Sequence, residues 1–494
     1  MSLYEFIRER LDAQVLHDPH RQAIADQDSS VTFQELRDAV AERAHSLLCE
    51  NQTLAHDSFV PIPVRADVSS AIDVLACMAA GLPFSPLDSE LPAARRELLD
   101  RILGYVDGDS KLETPAPADN RFRESTPRID GQAMAEGPWP QGKVVRHETS
   151  LVLLSSGSTG TPKAIAFAGH TVTERIKVFE ERLAPHSKQS RVLVVSPFHF
   201  IAGLLDLSAV LSGAYVVIRD PSRMNPKDMV RVIAAEQVTH LMITPPYARL
   251  LAMSATSDTQ KLDSLSVLSL TGDTAHFEDI SALAHLMKPT AHVKQIFGAS
   301  EGPPSFVFSE TAANVPKSGR VPLGIMPDPE NTHLEPHENG LFEVWRRGPI
   351  LSGYLKSPEL NARHIIDDGE GGTWWKSGDL IAQDPSGNWF FHSRMDDTIK
   401  VRGVLASPSE IHATLLSHPR VDASVVLVDE KDGRKRFVAH IETTPYQSIT
   451  DSELRSYLED RLPGVLVPSR FIFHQKIPLN ARGKVNREAL RKLH

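Results

Sequence analysis

The sequence predicts an α/β protein: a large multi-layer N-terminal domain with mainly parallel sheets, followed by a small α+β C-terminal domain. Three observations predict this. The chain has 494 residues, more than one hydrophobic core usually serves. From residue 150 onward, β-rich runs alternate with helical patterns, as in layered α/β structure with parallel strands. After about residue 340 the texture shifts to short strands separated by turns, and the end of the chain reads as a small unit of its own.

The elements follow in order. Residues 31–48 are spaced as an amphipathic helix, with Thr32 as N-cap and Glu35 closing a capping box. Residues 59–64 alternate as a strand, and 69–80 form a second helix ended by Gly81 and Pro83. The stretch 105–147, rich in Pro, Gly, Asp and Glu without periodicity, reads as a surface connection. Strands are expected at 151–154, 192–196, 215–218, 240–244, 267–270 and 292–297, and helices at 171–183 and 227–236. Strands at 341–345 and 389–392 come next. In the last part, Ser407-Pro408-Ser409-Glu410 is a capping box with proline at the first helical position. Residues 425–428 and 437–441 pair around Asp432-Gly433, and helices at 451–462 and 486–493 start from Asp451 (or Ser452) and Asn486.

Composition sets outer limits. Hydrophobic residues make up 41% and charged residues 23%, ordinary for a globular protein, and the net charge is −10. That acidic balance argues against nucleic acid or an anionic membrane as the main partner. No run reaches the length of a membrane span, and the N-terminus has no apolar signal region, so a cytoplasmic enzyme is the default expectation. Cys49 and Cys77 form no CxxC pair, and both are expected to be buried thiols.

One loop stands out. Ser155-Ser156-Gly157-Ser158-Thr159-Gly160-Thr161-Pro162-Lys163 follows a buried-type strand. Its glycines let backbone approach a ligand, its hydroxyls and N–H groups can surround phosphate oxygens, and Lys163 adds charge. Gly, Ser and Thr alone also suit a polar surface loop. It is not a Walker A loop, because Gly160 and Lys163 are not adjacent.

This loop resembles the phosphate loop of the adenylate-forming superfamily, which comprises acyl- and aryl-CoA synthetases, adenylation domains of nonribosomal peptide synthetases, and luciferases. Further stretches resemble the superfamily's motifs in order. They are the helix 31–48, Ala79-Ala80-Gly81-Leu82-Pro83-Phe84-Ser85-Pro86-Leu87-Asp88, Phe297-Gly298-Ala299-Ser300-Glu301, and Trp375-Lys376-Ser377-Gly378-Asp379-Leu380. The hinge-like Ser393-Arg394-Met395-Asp396-Asp397-Thr398-Ile399-Lys400-Val401-Arg402-Gly403 and the terminal Pro478-Leu479-Asn480-Ala481-Arg482-Gly483-Lys484-Val485 complete the set. Ser393 stands where glycine is usual, and Ala299 replaces a commoner proline or threonine.

The resemblance implies a large AMP-binding domain over 1–395, a hinge at Asp396, and a mobile domain over 397–494. It implies ATP and Mg²⁺. Glu301 would be the metal contact, since a hard cation prefers carboxylate oxygen. Ser300 would touch the α-phosphate, Phe297 would pack on adenine beside Gly298, Asp379 would accept from both ribose hydroxyls, and Arg394 would reach ribose and phosphate. Lys484 would bridge carboxylate and phosphate during adenylation.

The resemblance implies a small carboxylic acid as substrate. Amino-acid-activating members hold the substrate ammonium with an aspartate; the corresponding position here is Phe200. An ammonium buried there would lack a partner, so the acid is expected to lack an α-amine. The pocket is expected to comprise Phe200, Ile201, Leu204, Ser269, Thr271, Gly272, Ile296, Pro304 and Ser305. It suits an aryl, alicyclic or medium acyl acid. His199 either closes over the acid or is a packed structural histidine. After adenylation, the segment 399–403 would replace Lys484 at the site, with Gly403 leaving room for an acceptor. Lys400 and Arg402 would meet anionic groups on that acceptor or are ordinary surface charges. The acceptor is CoA, the pantetheine of a separate acyl carrier protein, or an amine in an amide ligase. Leu405-Ala406-Ser407-Pro408-Ser409-Glu410-Ile411 resembles the Ser-Pro-x-Glu-Ile form of CoA ligases more than the peptide-synthetase form, a resemblance that favours CoA. A silent AMP-binding module has no need of Lys484.

Overall fold

In the computed structural model the described residues are 1–51, 59–90, 138–140, 149–155, 163–255, 262–369, 372–395, 399–401, 404–406, 408–431, 434–443, 449–462, 464–479 and 485–493. Strands are numbered along the chain. The first set is β1 (Gln22–Ala25), β2 (Ser30–Thr32), β3 (Val60–Val64), β4 (Phe84–Asp88), β5 (Leu151–Ser155), β6 (Lys163–Phe167), β7 (Arg191–Val194) and β8 (Tyr215–Ile218). Then come β9 (His240–Ile243), β10 (Val267–Thr271), β11 (His292–Phe297), β12 (Phe306–Thr311), β13 (Thr332–Pro336), β14 (Leu341–Arg346), β15 (Gly353–Tyr354), β16 (Ile365–Asp367), β17 (Thr373–Gln383) and β18 (Trp389–Arg394).

One sheet runs β12-β11-β10-β9-β7-β8-β1-β2. Its pairing is parallel from β11 to β1 and antiparallel at both edges. A second runs β15-β6-β5-β4-β3, with β3, β4 and β5 parallel. A third, β13-β14-β17-β16 with β18 on β17, is antiparallel. The first sheet is covered on both faces. One face joins the second sheet and the helices Leu3–His17, Phe33–Glu50 and Val68–Ala80 in a single core. The other packs under Pro226–Ala235, Pro245–Ala255 and Phe277–Ala284. Burial on both sides is why strands such as β7 and β8 read as unbroken apolar runs.

Local chemistry sets the boundaries. Thr32 caps Phe33–Glu50 through the expected box with Glu35. Gly81, at φ +68°, ends Val68–Ala80 in a left-handed turn that costs glycine little. The expected helix 171–183 is Gly169–Val178 followed by one π-turn, Phe179–Leu183. Two expectations need correction. Cys77 is buried, but Cys49 is exposed, because it lies off the Leu36, Val40, Ala44, Leu47 stripe that faces the core. The helix Asp451–Glu459 is capped by Thr450, whose hydroxyl takes the Glu453 amide, and not by Asp451 or Ser452.

The C-terminal part has its own core. Strands β19 (Ile399–Val401) and β20 (Val404–Ala406) form a hairpin, and β21 (Val421–Lys431), β22 (Arg434–Thr443) and β23 (Arg470–His474) form a sheet. Helices Pro408–Leu416 and Asp451–Glu459 pack on that sheet through Ile411, Leu415, Leu454 and Leu458. The expected pair around 432–433 is present in β21 and β22, with Val428 opposite Phe437. Arg249, on the helix Pro245–Ala255, reaches across to this part and donates from Nη1 to the Asp422 carbonyl at 2.8 Å. Among the described residues no helix is long and apolar enough to cross a membrane.

Candidate active site

The parallel strands of both main sheets end on the same cleft, where open α/β sheets bind their ligands. Residues just past β3, β4, β7, β8, β9, β10 and β11 line it, including Arg65, Ser89, Ser196, Arg219, Thr244, Gly272 and Gly298. The cavity encloses about 1790 Å³. Leu479 and Val485, paired in an isolated antiparallel bridge, line it from the C-terminal part, with Arg487 and Arg491 beside them.

Three sequence motifs converge here. Phe297 ends β11, and its ring lies 5.8 Å from Phe391 and 6.2 Å from Phe306, centre to centre. Gly298 follows because a Cβ there would stand 2.9 Å from Pro304 Cα. Asp379, in β17, sits opposite Arg394 in β18, and Arg394 Nη1 donates to Asp379 Oδ1 at 2.8 Å. Burial pushes the Asp379 carboxyl up to about 6, with Arg394 drawing it down only in part. Glu301 lies on the loop after Phe297. Its Oε1 accepts from the Tyr354 hydroxyl at 3.3 Å, and Tyr354 accepts in turn from Trp375 Nε1 at 3.1 Å. Burial, with Glu301 alongside, pushes the Tyr354 phenol far up, so it stays a donor. Lys163 Nζ stands 5.9 Å from the centre of the Tyr354 ring.

Other expected residues distribute as follows. Ser300, Lys163, His199, Phe200, Ile201, Thr271, Gly272, Ile296 and Pro304 line the cleft. His199 and Phe200 meet edge to face, 4.0 Å between ring centres. Leu204, Ser269 and Ser305 stand behind the wall, which corrects their place in the pocket. Leu204 is in the core, Ser269 lies one pleat below the strand end that Thr271 reaches, and Ser305 is buried, its backbone amide donating to the Phe297 carbonyl. Ser156, Gly157, Ser158, Thr159, Gly160, Thr161, Asp396, Arg402, Gly403 and Lys484 lie outside the described residues, as do the side chains of Ser155 and Lys400 and most of the connection 105–147.

Some cleft residues carry no motif. Arg175, in Gly169–Val178, is 5% exposed and donates to the Ser300 and Gly302 carbonyls. Burial lowers it to about 10, which leaves it charged at neutral pH. Gln295 shares a strand face with Phe297, two residues on, and its buried Oε1 has no partner among the described residues. Alternation along β11 could have flagged Gln295; nothing local marks Arg175 or Tyr354. Thr244 Oγ1 and the Tyr247 hydroxyl are likewise buried at the cleft with no partner among the described residues.

This donor set fits an adenine nucleotide. An aromatic face adjoins an orphaned buried acceptor suited to an exocyclic amine, and a buried carboxylate is suited to paired hydroxyls. It also fits Mg²⁺ of the kind held by one carboxylate and nucleotide phosphates. Among the described residues no cluster of three or more His, Cys, Asp and Glu could hold a metal by itself.

Fold and cleft together define a nucleotide-binding α/β enzyme with its site on the carboxyl edge of two sheets. The profile of the family described as AMP-binding enzyme matches residues 11–355, and the chain belongs to that family. It thereby falls in the adenylate-forming superfamily that its motifs resemble. The chain is 28% identical over 506 residues to malpibaldin synthetase of Mortierella alpina, covering 98% of this chain and 9% of that protein. It is 25% identical over 504 residues to tyrocidine synthase 3 of Brevibacillus parabrevis, covering 98% and 8%. The chain thus spans a small fraction of these relatives' own length.

Solved structures share the fold from end to end. Klebsiella oxytoca NpsA in complex with 3-hydroxyanthranilyl-AMSN matches with a TM-score of 0.77 and 20% identity, covering 99% of both chains. Amide bond synthetase McbA from Marinactinospora thermotolerans matches at 0.75 and 19%, covering 100% of both. O-succinylbenzoate coenzyme A synthetase (MenE) from Bacillus subtilis, in complex with AMP, matches at 0.72 and 21%, covering 98% of both. MenE has also been solved with ATP and magnesium ion.

Proposed function

We propose that this enzyme joins a carboxylic acid lacking an α-amine to the AMP moiety of ATP, releasing pyrophosphate, and then transfers the acyl group to a thiol. The observation that carries the acid class is Phe200. It caps the helix Ile201–Ser208 at the cleft wall, packed on His199 with Ile201 and Ala202 beside it. No carboxylate stands at that position to meet a substrate ammonium, and an apolar acid suits such a wall.

In this reading Phe297 and Gln295 take the adenine face and edge, and Asp379 and Arg394 take the ribose. Carboxylate attack on phosphorus brings two anions together, so fixed positive charge and placement carry the rate. Lys163, Arg394 and Lys484 supply charge. Ser300 and the loop 155–161 orient the phosphates. Glu301 would hold Mg²⁺, which supplies charge neutralisation on the phosphate oxygens. The part from 397 on then turns about Asp396, exchanging Lys484 for the segment 399–403 so that an acceptor can enter.

ATP–pyrophosphate exchange over benzoates, alicyclic acids, medium-chain acids and α-amino acids tests the acid class. Exchange with aryl, alicyclic or medium acyl acids is expected. Selective exchange with α-amino acids refutes the reading of Phe200. Product analysis with CoA, carrier protein and amines then distinguishes thiol transfer from amide ligation.

A further inference from the structure

The loop that carries Glu301 is held from three sides. From below, the Arg175 guanidinium spans two of its carbonyls, Nη1 to Ser300 and Nη2 to Gly302, the latter at 2.9 Å. From the side, the Leu351 amide donates to the Glu301 carbonyl at 2.7 Å. Behind it, a Cβ on Gly302 would stand 3.3 Å from the Trp375 ring, so the loop backbone rests against that indole. The carboxylate itself is aimed by Tyr354 through Oε1, and Trp375 Nε1 fixes the Tyr354 hydroxyl as a donor toward Glu301. Among the described residues nothing pairs with Oε2.

Each part has a physical reason. A guanidinium presents donors in a rigid fork, so it can bridge two carbonyls that a lysine would reach one at a time. Its ring-stacked position over Phe167, 5.2 Å to the centre, leaves it little freedom. The hydroxyl bond restricts rotation of the carboxylate and commits one oxygen, leaving the other without a bond among the described residues of a side chain that lines the cleft. Carboxylates that bind metals are themselves hydrogen-bonded in this way, and the bond tunes affinity.

We propose that Arg175 and Tyr354 are positioning residues for the metal contact: Arg175 sets the height of the Glu301 loop, and Tyr354 selects which carboxylate oxygen faces the metal. The proposal rests on the assignment of Glu301 as that contact. Neither residue is assigned a contact with the nucleotide or the acid, so each acts on metal affinity and leaves metal-free nucleotide binding alone.

The test uses the full chain with Mn²⁺ as probe. Mn²⁺ affinity is measured by electron paramagnetic resonance in the presence of α,β-methylene-ATP, beside the Mg²⁺ concentration for half-maximal pyrophosphate exchange. Tyr354→Phe is expected to weaken Mn²⁺ binding by about 10–100-fold and raise the Mg²⁺ midpoint by a similar factor. Saturating Mg²⁺ should recover most of the lost exchange, and affinity for metal-free ATP should stay put. Arg175→Lys, which keeps the charge, should shift the same two readouts and provides a second variant if Tyr354→Phe is unstable. Unchanged Mn²⁺ affinity in both, with Glu301→Gln weakened, overturns the positioning role and leaves Glu301 in place. Unchanged affinity in Glu301→Gln overturns the metal assignment and this proposal with it.

Discussion

Asp379→Asn should stabilise the protein and impair it at once. Asp379 is 6% exposed, and burial moves its carboxyl from an ordinary 3.8 to about 6, even beside Arg394. The folded state therefore holds the proton more tightly than the unfolded chain does. The group's contribution is most favourable below pH 3.8 and is lost as pH rises through about 6. At about 1.4 kcal/mol per pH unit, the interval amounts to roughly 3 kcal/mol of native destabilisation above pH 7. Asparagine has nearly the same shape and no charge, so it relieves that cost. Melting of the ligand-free protein should rise in Asp379→Asn at pH 8, with the difference shrinking as pH falls toward 4. Nucleotide binding should move the other way. A carboxylate that accepts from two ribose hydroxyls makes charge-assisted bonds worth about 1.5–3 kcal/mol each. Neutral replacements forfeit part of this, so ATP affinity by calorimetry should fall on the order of 10- to 100-fold. A variant that melts lower than the parent at pH 8, or one that binds ATP equally well, refutes this reasoning.

The other expectations test separate parts of the cleft. Gln295→Leu removes the orphaned acceptor beside Phe297, so discrimination of ATP against GTP in pyrophosphate exchange should drop by about 10-fold or more, the worth of one buried hydrogen bond; unchanged selectivity would place the adenine edge elsewhere. Lys484→Ala should slow acyl-adenylate formation by about 10²–10³ while ATP binding by calorimetry stays near normal; near-normal adenylation would remove Lys484 from the chemistry. In single-turnover assays, Asp396→Pro should spare acyl-AMP formation and stop acceptor-dependent release; equal slowing of both steps, or of neither, would dismiss rotation about that residue.

What the sequence made legible follows from how local each feature is. Helix 33–50 announces itself through Thr32 and Glu35, three residues apart, and the capping box forms as read. Phe297 and Glu301 lie within one short stretch, and Asp379 and Arg394 each belong to a motif, so they could be assigned before their pairing across β17 and β18 was known. Depth was not legible. Ser269 and Thr271 share a face of β10, but only the end of a parallel strand reaches the cleft, and alternation does not say how far along the strand the wall begins. Leu204 lies one helical turn past Ile201 and Ser305 follows Pro304 on a connection, and in each case the neighbour is the residue that lines the cleft.

The supports of the site were the least legible part, and the cause is chain separation. Arg175 is 125 residues from Ser300, and Tyr354 is 53 from Glu301. Arg175 sits in an ordinary helix and Tyr354 in a two-residue strand, so neither carries spacing or flanking chemistry that marks it. Only the pairing of β15 with β6 brings buried Tyr354 to Glu301, and the helix after β6 brings Arg175 to the loop that carries it. The same short connection places Lys163, the first residue of β6, against the Tyr354 ring. One strand thus links Lys163, the tyrosine bonded to Glu301 and the arginine bonded to the loop that carries Glu301. On the proposed reading, a change in β6 packing, such as Ile165→Ala, should therefore disturb the roles of Lys163 and Glu301 together, whereas a change in Phe297 should disturb the nucleoside alone.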